Sequence, residues 1–212
     1  MLKFLFFFIF LPNIVLAQMG EYNIKGDFGK DNANKFAYLH LSQIDDRSEE
    51  LIAIPINNNQ FFINKQIDKK KRLCIFGIIF TSKRGDITID EFNEMKKDMD
   101  FYLNHKLLIV LEDSVHIDFK SPITQSIVNG GKLTNESVLC QKATKDNTYL
   151  EFIISHPDSP FSLLCLKAIN RIKNMSIYTK NLENINTSEL FNKLSDRLKQ
   201  SFEGKEYTKE YQ

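Results

Sequence analysis

From Glu21 to Phe119 the chain is a succession of short apolar or alternating segments: EYNIKGDF, KFAYLHL, ELIAIPI, NQFFINKQI, RLCIFGIIF, HKLLIVLE and SVHIDF. Turn-forming residues separate each from the next. Segments this short and this rich in Ile, Phe and Tyr favour extended strands over helices. A lone strand or hairpin cannot bury its apolar side, so seven of them at close spacing predict an antiparallel β-sandwich or a partly open barrel. Alternation is clearest in Val115, Ile117 and Phe119, which should face a core while Ser114, His116 and Asp118 face out. Asn57, Asn58 and Asn59 tolerate left-handed backbone and predict a hairpin across Ile56 to Phe61.

One stretch inside the strand region changes period. Thr88 followed three residues later by Glu91 is a capping box, and Phe92, Met95 and Met99 follow at helical spacing, so a short helix is expected near 88–101. Beyond Gly130 and Gly131 the chain becomes helical throughout. Ser159 before Pro160 starts a helix whose apolar face is expected at Phe161, Leu164, Cys165, Ala168 and Ile172. A last helix is expected from Asn186, with Glu189 as its capping partner and Phe191, Leu194, Leu198 and Phe202 buried. The fold class expected is therefore α+β: a β-sandwich-like domain over 18–131, then a helical segment over 132–212.

The first residues belong to a different regime. MLKFLFFFIFLPNIVLAQ carries one early cation, Lys3, then a run of apolar residues, then Val15 and Ala17 in the small-residue pattern of a cleavage site. Residues 1–17 are read as a signal peptide, which implies a periplasmic or secreted protein with no stable membrane span after cleavage. Loss of Lys3 takes the formal net charge from +1 to zero. A neutral chain offers no electrostatic reason to bind nucleic acid.

The side chains of catalysis are present but not in working patterns. Cys74, Cys140 and Cys165 form no CxxC pair, and their odd number permits at most one internal disulfide. Cys74 in the run Leu73 to Phe80, and Cys165 among Leu163, Leu164 and Leu166, are expected to be buried thiols. His105, Glu112, Asp113, His116 and Asp118 are the one local cluster of metal-compatible groups, and solvated strand residues beside a polar turn account for them as well as a metal does. GDITIDE, Gly85 to Glu91, copies the second half of a calcium loop. The leading ligand positions would fall on Phe80, Ser82 and Arg84, two of which cannot supply oxygen ligands, so a turn and a capped helix is the expectation. His40 and His156 are expected to be surface or satisfied histidines. Neither a nucleophile elbow nor a phosphate-cradling glycine motif is present. The expectation is thus no catalytic residues, no metal site and no cofactor.

Several stretches carry a resemblance. LIVLEDSVHIDFKSPITQSIVNGGKLTNE has a strand to Glu112, an acidic turn at Asp113, a second strand over Val115 to Phe119 and a glycine step into a helix start over Asn129 to Asn135. It resembles a domain of unknown function that precedes the thioredoxin-like domain in exported thiol–disulfide oxidoreductases of Bacteroidetes. YNIKGDFG near the start, FIISHPDSPFSLLCLKAI over Phe152 to Ile169 and LSDRLKQSFEGKEYTK over Leu194 to Lys209 look like further parts of the same family. The spacing from Asn135 to Glu151 is shorter than in that family, and the redox cysteines of the thioredoxin-like domain do not occur in these residues. The resemblance implies an exported, non-catalytic module that binds a thioredoxin-like protein or another exported ligand. The alternative it implies is a truncated or split component of a thiol–disulfide oxidoreductase that works with a separately encoded thioredoxin-like domain. Neither resemblance nor composition fixes an oligomeric state.

Overall fold

The computed structural model describes residues 19–30, 32–42, 49–68, 72–174 and 185–212, and the expected signal peptide lies outside them. Among the described residues eight strands form two four-stranded sheets. In the first, β4 (Gln60–Asp68), β1 (Met19–Asp27), β7 (Ser114–Asp118) and β8 (Ile127–Asn129) lie in that order. In the second the order is β3 (Glu49–Pro55), β2 (Phe36–Ser42), β5 (Phe76–Ser82) and β6 (Lys106–Val110). Every ladder is antiparallel except β1 with β7, where Asn23 to Asp27 run parallel to Ser114 to Asp118. A parallel pair needs a long crossover, and here the whole second sheet supplies it.

Alternating side chains explain why the sheets face one another. Tyr22 and Ile24, Phe61 and Ile63, and Val115 and Ile117 from the first sheet meet Ala37, Leu39 and Leu41, Ile79 and Ile109 from the second in one buried cluster. The expected in-and-out pattern of β7 is present, with Val115 and Ile117 buried and Ser114 exposed. The sheets do not close into a barrel. The architecture is therefore an α+β fold whose β part is an open sandwich.

The Asn turn forms, with Asn58 at φ 51° and Asn59 at φ 60° between mutually hydrogen-bonded Asn57 and Gln60. It does not open into a paired hairpin. Ile56 N–H donates to Lys35 O at 2.8 Å, and Phe28 N–H donates to Asn59 O at 2.9 Å, so one arm is drawn into each sheet. β3 then pairs with β2, and β4 pairs with β1.

Helices cover the outer face of the second sheet. α1 (Ile89–Met95) begins at the expected capping box, in which Thr88 Oγ1 accepts from Glu91 N–H and the Glu91 carboxylate accepts from Thr88 N–H. The helix then stops, and Asp98 caps a second one, α2 (Met99–Asn104). The break moves Met99 to the surface at 68% exposure and puts Phe101 inside in its place. Phe92 and Phe101 pack on Tyr38 and Phe80 of the sheet, with the Phe80 and Phe92 rings stacked at 5.0 Å.

The remaining helices, α3 (Lys132–Lys145), α4 (Tyr149–Ser155), α5 (Pro160–Asn174), α6 (Thr187–Lys193), α7 (Asp196–Gln200) and α8 (Phe202–Tyr211), form a third core against Val110 of β6. α5 is central, packed between α3 and α4 on one side and α6 and α8 on the other. Its buried residues among those described are Pro160, Phe161, Ser162, Leu163, Cys165, Leu166, Ile169 and Asn170, while Leu164, Ala168 and Ile172 of the expected stripe are exposed. The polar members are satisfied: Ser162 Oγ donates to His156 O at 2.7 Å, and Asn170 Nδ2 donates to the Tyr207 hydroxyl at 2.8 Å. Asn186 accepts from Glu189 N–H as expected, but the last helix is three, because Leu194 and Ser201 are extended and Ser195 and Ser201 each cap a new start. Leu198 is buried, and Phe202 is 43% exposed. Among the described residues no helix is long and apolar enough to cross a membrane.

Candidate binding cleft

An open cleft of about 750 Å³ lies where the sandwich meets the helical layer. Its apolar floor is Ile75 and Leu111, extensions of β5 and β6 held together by Leu111 N–H donating to Ile75 O at 2.9 Å. The cleft is lined by the turn Glu112, Asp113 and Ser114 with His116 of β7, and by the neighbouring stretch from Asn129 to Gly131 with Lys132 and Leu133 at the start of α3. Arg72, Leu73 and Cys74 close one end. Asn23 anchors the turn, donating from both its backbone N–H and its side chain to Asp113 O at 3.2 Å.

Glu112 joins the turn to the start of α3. Its carboxylate accepts from Leu133 N–H at 2.7 Å and from Thr134 N–H at 2.9 Å. The first N–H groups of a helix have no partner within it, and Gly131 at the N-cap has no side chain to serve them. A carboxylate brought from the turn after β6 does so instead, favoured also by the positive end of the helix dipole. The two glycines leave the room: a Cβ on Gly131 would lie 2.8 Å from Glu112 Oε1, and one on Gly130 would lie 2.3 Å from Thr134 Oγ1.

Other groups in the cleft are held in similarly structural roles. His116 Nε2 lies 2.9 Å from Asp118 Oδ1. Burial, with the Asp113 charge adding to it, pushes the Tyr22 phenol up to about 12. The Cys74 thiol is pushed up to about 12 as well, chiefly by burial and then by Glu203, with Arg72 opposing, so it is not a nucleophile at neutral pH. Glu203 Oε1 also accepts from Leu73 N–H at 3.2 Å, tying this end of the cleft to α8. Charges of both signs lie at the rim, in the exposed Asp113 and in Lys132, whose side chain is 73% exposed and whose ammonium lies 3.7 Å from Glu136 Oε1.

The five metal-compatible residues divide. Glu112, Asp113 and His116 line the cleft, Asp118 engages His116, and His105 lies at the end of α2, 3.0 Å from Asp100. Among the described residues no group of three His, Cys, Asp or Glu side chains could hold a metal ion. The GDITIDE segment is a turn and a capped helix, with Arg84 donating to both Asp86 and Glu91. His156 stacks on Phe152. His40 departs from a surface role: it is 4% exposed, 4.5 Å from the Phe92 ring, and its Nε2 has no hydrogen-bond partner among the described residues.

Sequence reasoning did not single out Tyr22, Arg72 or Lys132, which the fold gathers from three distant segments. One local signal pointed to the junction: a helix opening on Gly-Gly without Ser, Thr, Asp or Asn at its cap needs an acceptor from elsewhere. No protein-family model, curated protein or solved structure matches the chain.

Proposed function

We propose that this chain is an exported, non-catalytic binding module whose ligand seats in the cleft between the sandwich and α3. The cleft itself is the observation that carries the reading. It is within the size range of small-molecule sites, and it combines an apolar floor with polar walls. Its candidate acid, base and thiol groups are engaged elsewhere: Glu112 with α3, His116 with Asp118, and Cys74 as a protonated thiol. Such a site orients a bound group better than it attacks one. Asp113 and Lys132, opposite in charge and both lining the cleft, suit a small zwitterionic or dipolar molecule. The acidic turn and the glycine step that carry the resemblance to the domain preceding thioredoxin-like domains are the two walls of this cleft, which favours an accessory role in that family's setting.

The test is a thermal-shift and calorimetric screen of the purified protein against amino acids, dipeptides and small dicarboxylates. The expected result is a saturable ligand whose binding is lost in Asp113→Lys, a substitution at an exposed side chain, and weakened in Lys132→Gln. A ligand indifferent to both substitutions would place the binding site elsewhere. Export is tested separately, by sequencing the amino terminus of the protein recovered outside the cytoplasm, where Gln18 is expected.

A further inference from the structure

The three cysteines occupy two settings. Cys74 lines the cleft and packs on the edge of the helical core, whereas Cys140 on α3 and Cys165 on α5 bring their Sγ atoms to 3.0 Å where the two helices pack. Cys165 is 8% exposed within the helical core, and Cys140 is partly open to solvent. A disulfide bond is about 2.0 Å long, so the two sulfurs need approach by only about 1 Å.

We propose that Cys140 and Cys165 are a redox-convertible pair that closes into an intramolecular disulfide, stapling α3 to α5 and leaving Cys74 a free thiol. The exposed member reacts first. Cys140 gives its proton to solvent and attacks one sulfur of an external disulfide, either a small molecule or an oxidised exchange protein, whose S–S bond breaks to release one thiolate. Cys165 then loses its proton, its sulfur attacks Cys140 Sγ in the mixed disulfide, and the second external thiolate leaves. Two protein thiols are oxidised, one external disulfide is reduced to two thiols, and the two protons shed by the cysteines pass to the departing thiolates.

Electrostatics support this order of attack. The Cys140 thiol is held below its ordinary value by the hydrogen bond from Cys165, with burial opposing. Cys165 is pushed upward by donating that bond and by burial. A thiol favoured as thiolate and open to solvent is the attacking partner, and a buried protonated one beside it is the resolving partner. The pairing stands on helix packing alone and needs neither export nor a ligand in the cleft.

The experiment equilibrates the folded protein in glutathione buffers of rising oxidation, alkylates it under native and then denaturing conditions, and maps its peptides. The expected outcome is one linked peptide pair containing Cys140 and Cys165, alkylated Cys74, and a Tm several degrees higher in the oxidised form. Cys74→Ser should keep that rise, and Cys140→Ser, at the more accessible position, should abolish it. Three alkylatable thiols under oxidising conditions, a stable glutathione adduct on Cys140, or a bridge through Cys74 would each overturn the proposal.

Discussion

Glu112 and Gly131 fit together so tightly that neither can change alone: the carboxylate that caps α3 occupies the space where a Cβ on residue 131 would stand, 2.8 Å from Oε1. Glu112→Ala leaves two backbone N–H groups without their acceptor and should cost about 1–3 kcal/mol by urea unfolding. Gly131→Ala should also destabilise, by collision with that carboxylate. All three of the nearest atoms at residue 131 belong to Glu112, so the double variant should lose less than the sum of the two. Strict additivity would mean that the carboxylate does not sit where it is described.

Phe92 and Met99 separate one long helix from two short ones. Phe92→Ala removes a fully buried ring stacked on Phe80 and should cost about 3–5 kcal/mol. Met99→Ala should fall within about 0.5 kcal/mol of the parent, because that side chain is largely in water. Chemical denaturation of the two variants decides the point, and a large loss at Met99 would argue for an unbroken helix.

His40 should make stability fall on mild acidification. Burial lowers its pKa from the ordinary 6.5, with the Lys96 ammonium adding to that and Glu49, 3.6 Å from Nε2, opposing. The unfolded chain therefore takes up a proton at higher pH than the folded one. The contribution of the neutral ring is complete above the unfolded value and is lost progressively as pH falls through it toward the folded value. Tm measured between about pH 7.5 and 5.5 should drop more for the parent than for His40→Leu, which has nothing to titrate there. Parallel curves would remove His40 from the account.

Tyr207 ends a short chain of polar contacts inside the helical core. Its hydroxyl accepts from Asn170 Nδ2, and Asn170 Oδ1 in turn accepts from Thr187 Oγ1 at 2.8 Å. Tyr207→Phe keeps the ring stacked on Phe191 but strips a buried amide of its acceptor, at an expected cost of about 1–3 kcal/mol by calorimetry. An unchanged Tm would show that the amide finds another partner.

Strand and cap signals were legible because they are local. The capping box at Thr88 and Glu91, the left-handed Asn58 and Asn59, and the alternation of β7 each depend on residues only a few positions apart. The face of α5 was not legible, since a helix packed on two sides has no single stripe, and Ser162 and Asn170 are buried by virtue of partners far along the chain. Helix breaks at Asp98, Ser195 and Ser201 were written in the capping residues themselves, but the apolar spacing ran on through them. β8 is three residues long, too short to show a period. The cleft was the least legible feature, because its walls meet only when β1, β7 and α3 are in place.

The parallel pairing of β1 with β7 also sets a timetable. A chain delivered amino terminus first presents β1 early, but β1 is an interior strand of its sheet, and its β7 neighbour comes from residues 114–118. Until those residues arrive, one edge of β1 stays open, and closing so large a loop is slow relative to making a local hairpin. The second sheet, whose three ladders all join strands lying between the two, can assemble during the wait. β1, made well before β7, is thus among the last of the described strands to be sealed, and any companion that guards this chain during its maturation has β1 to protect.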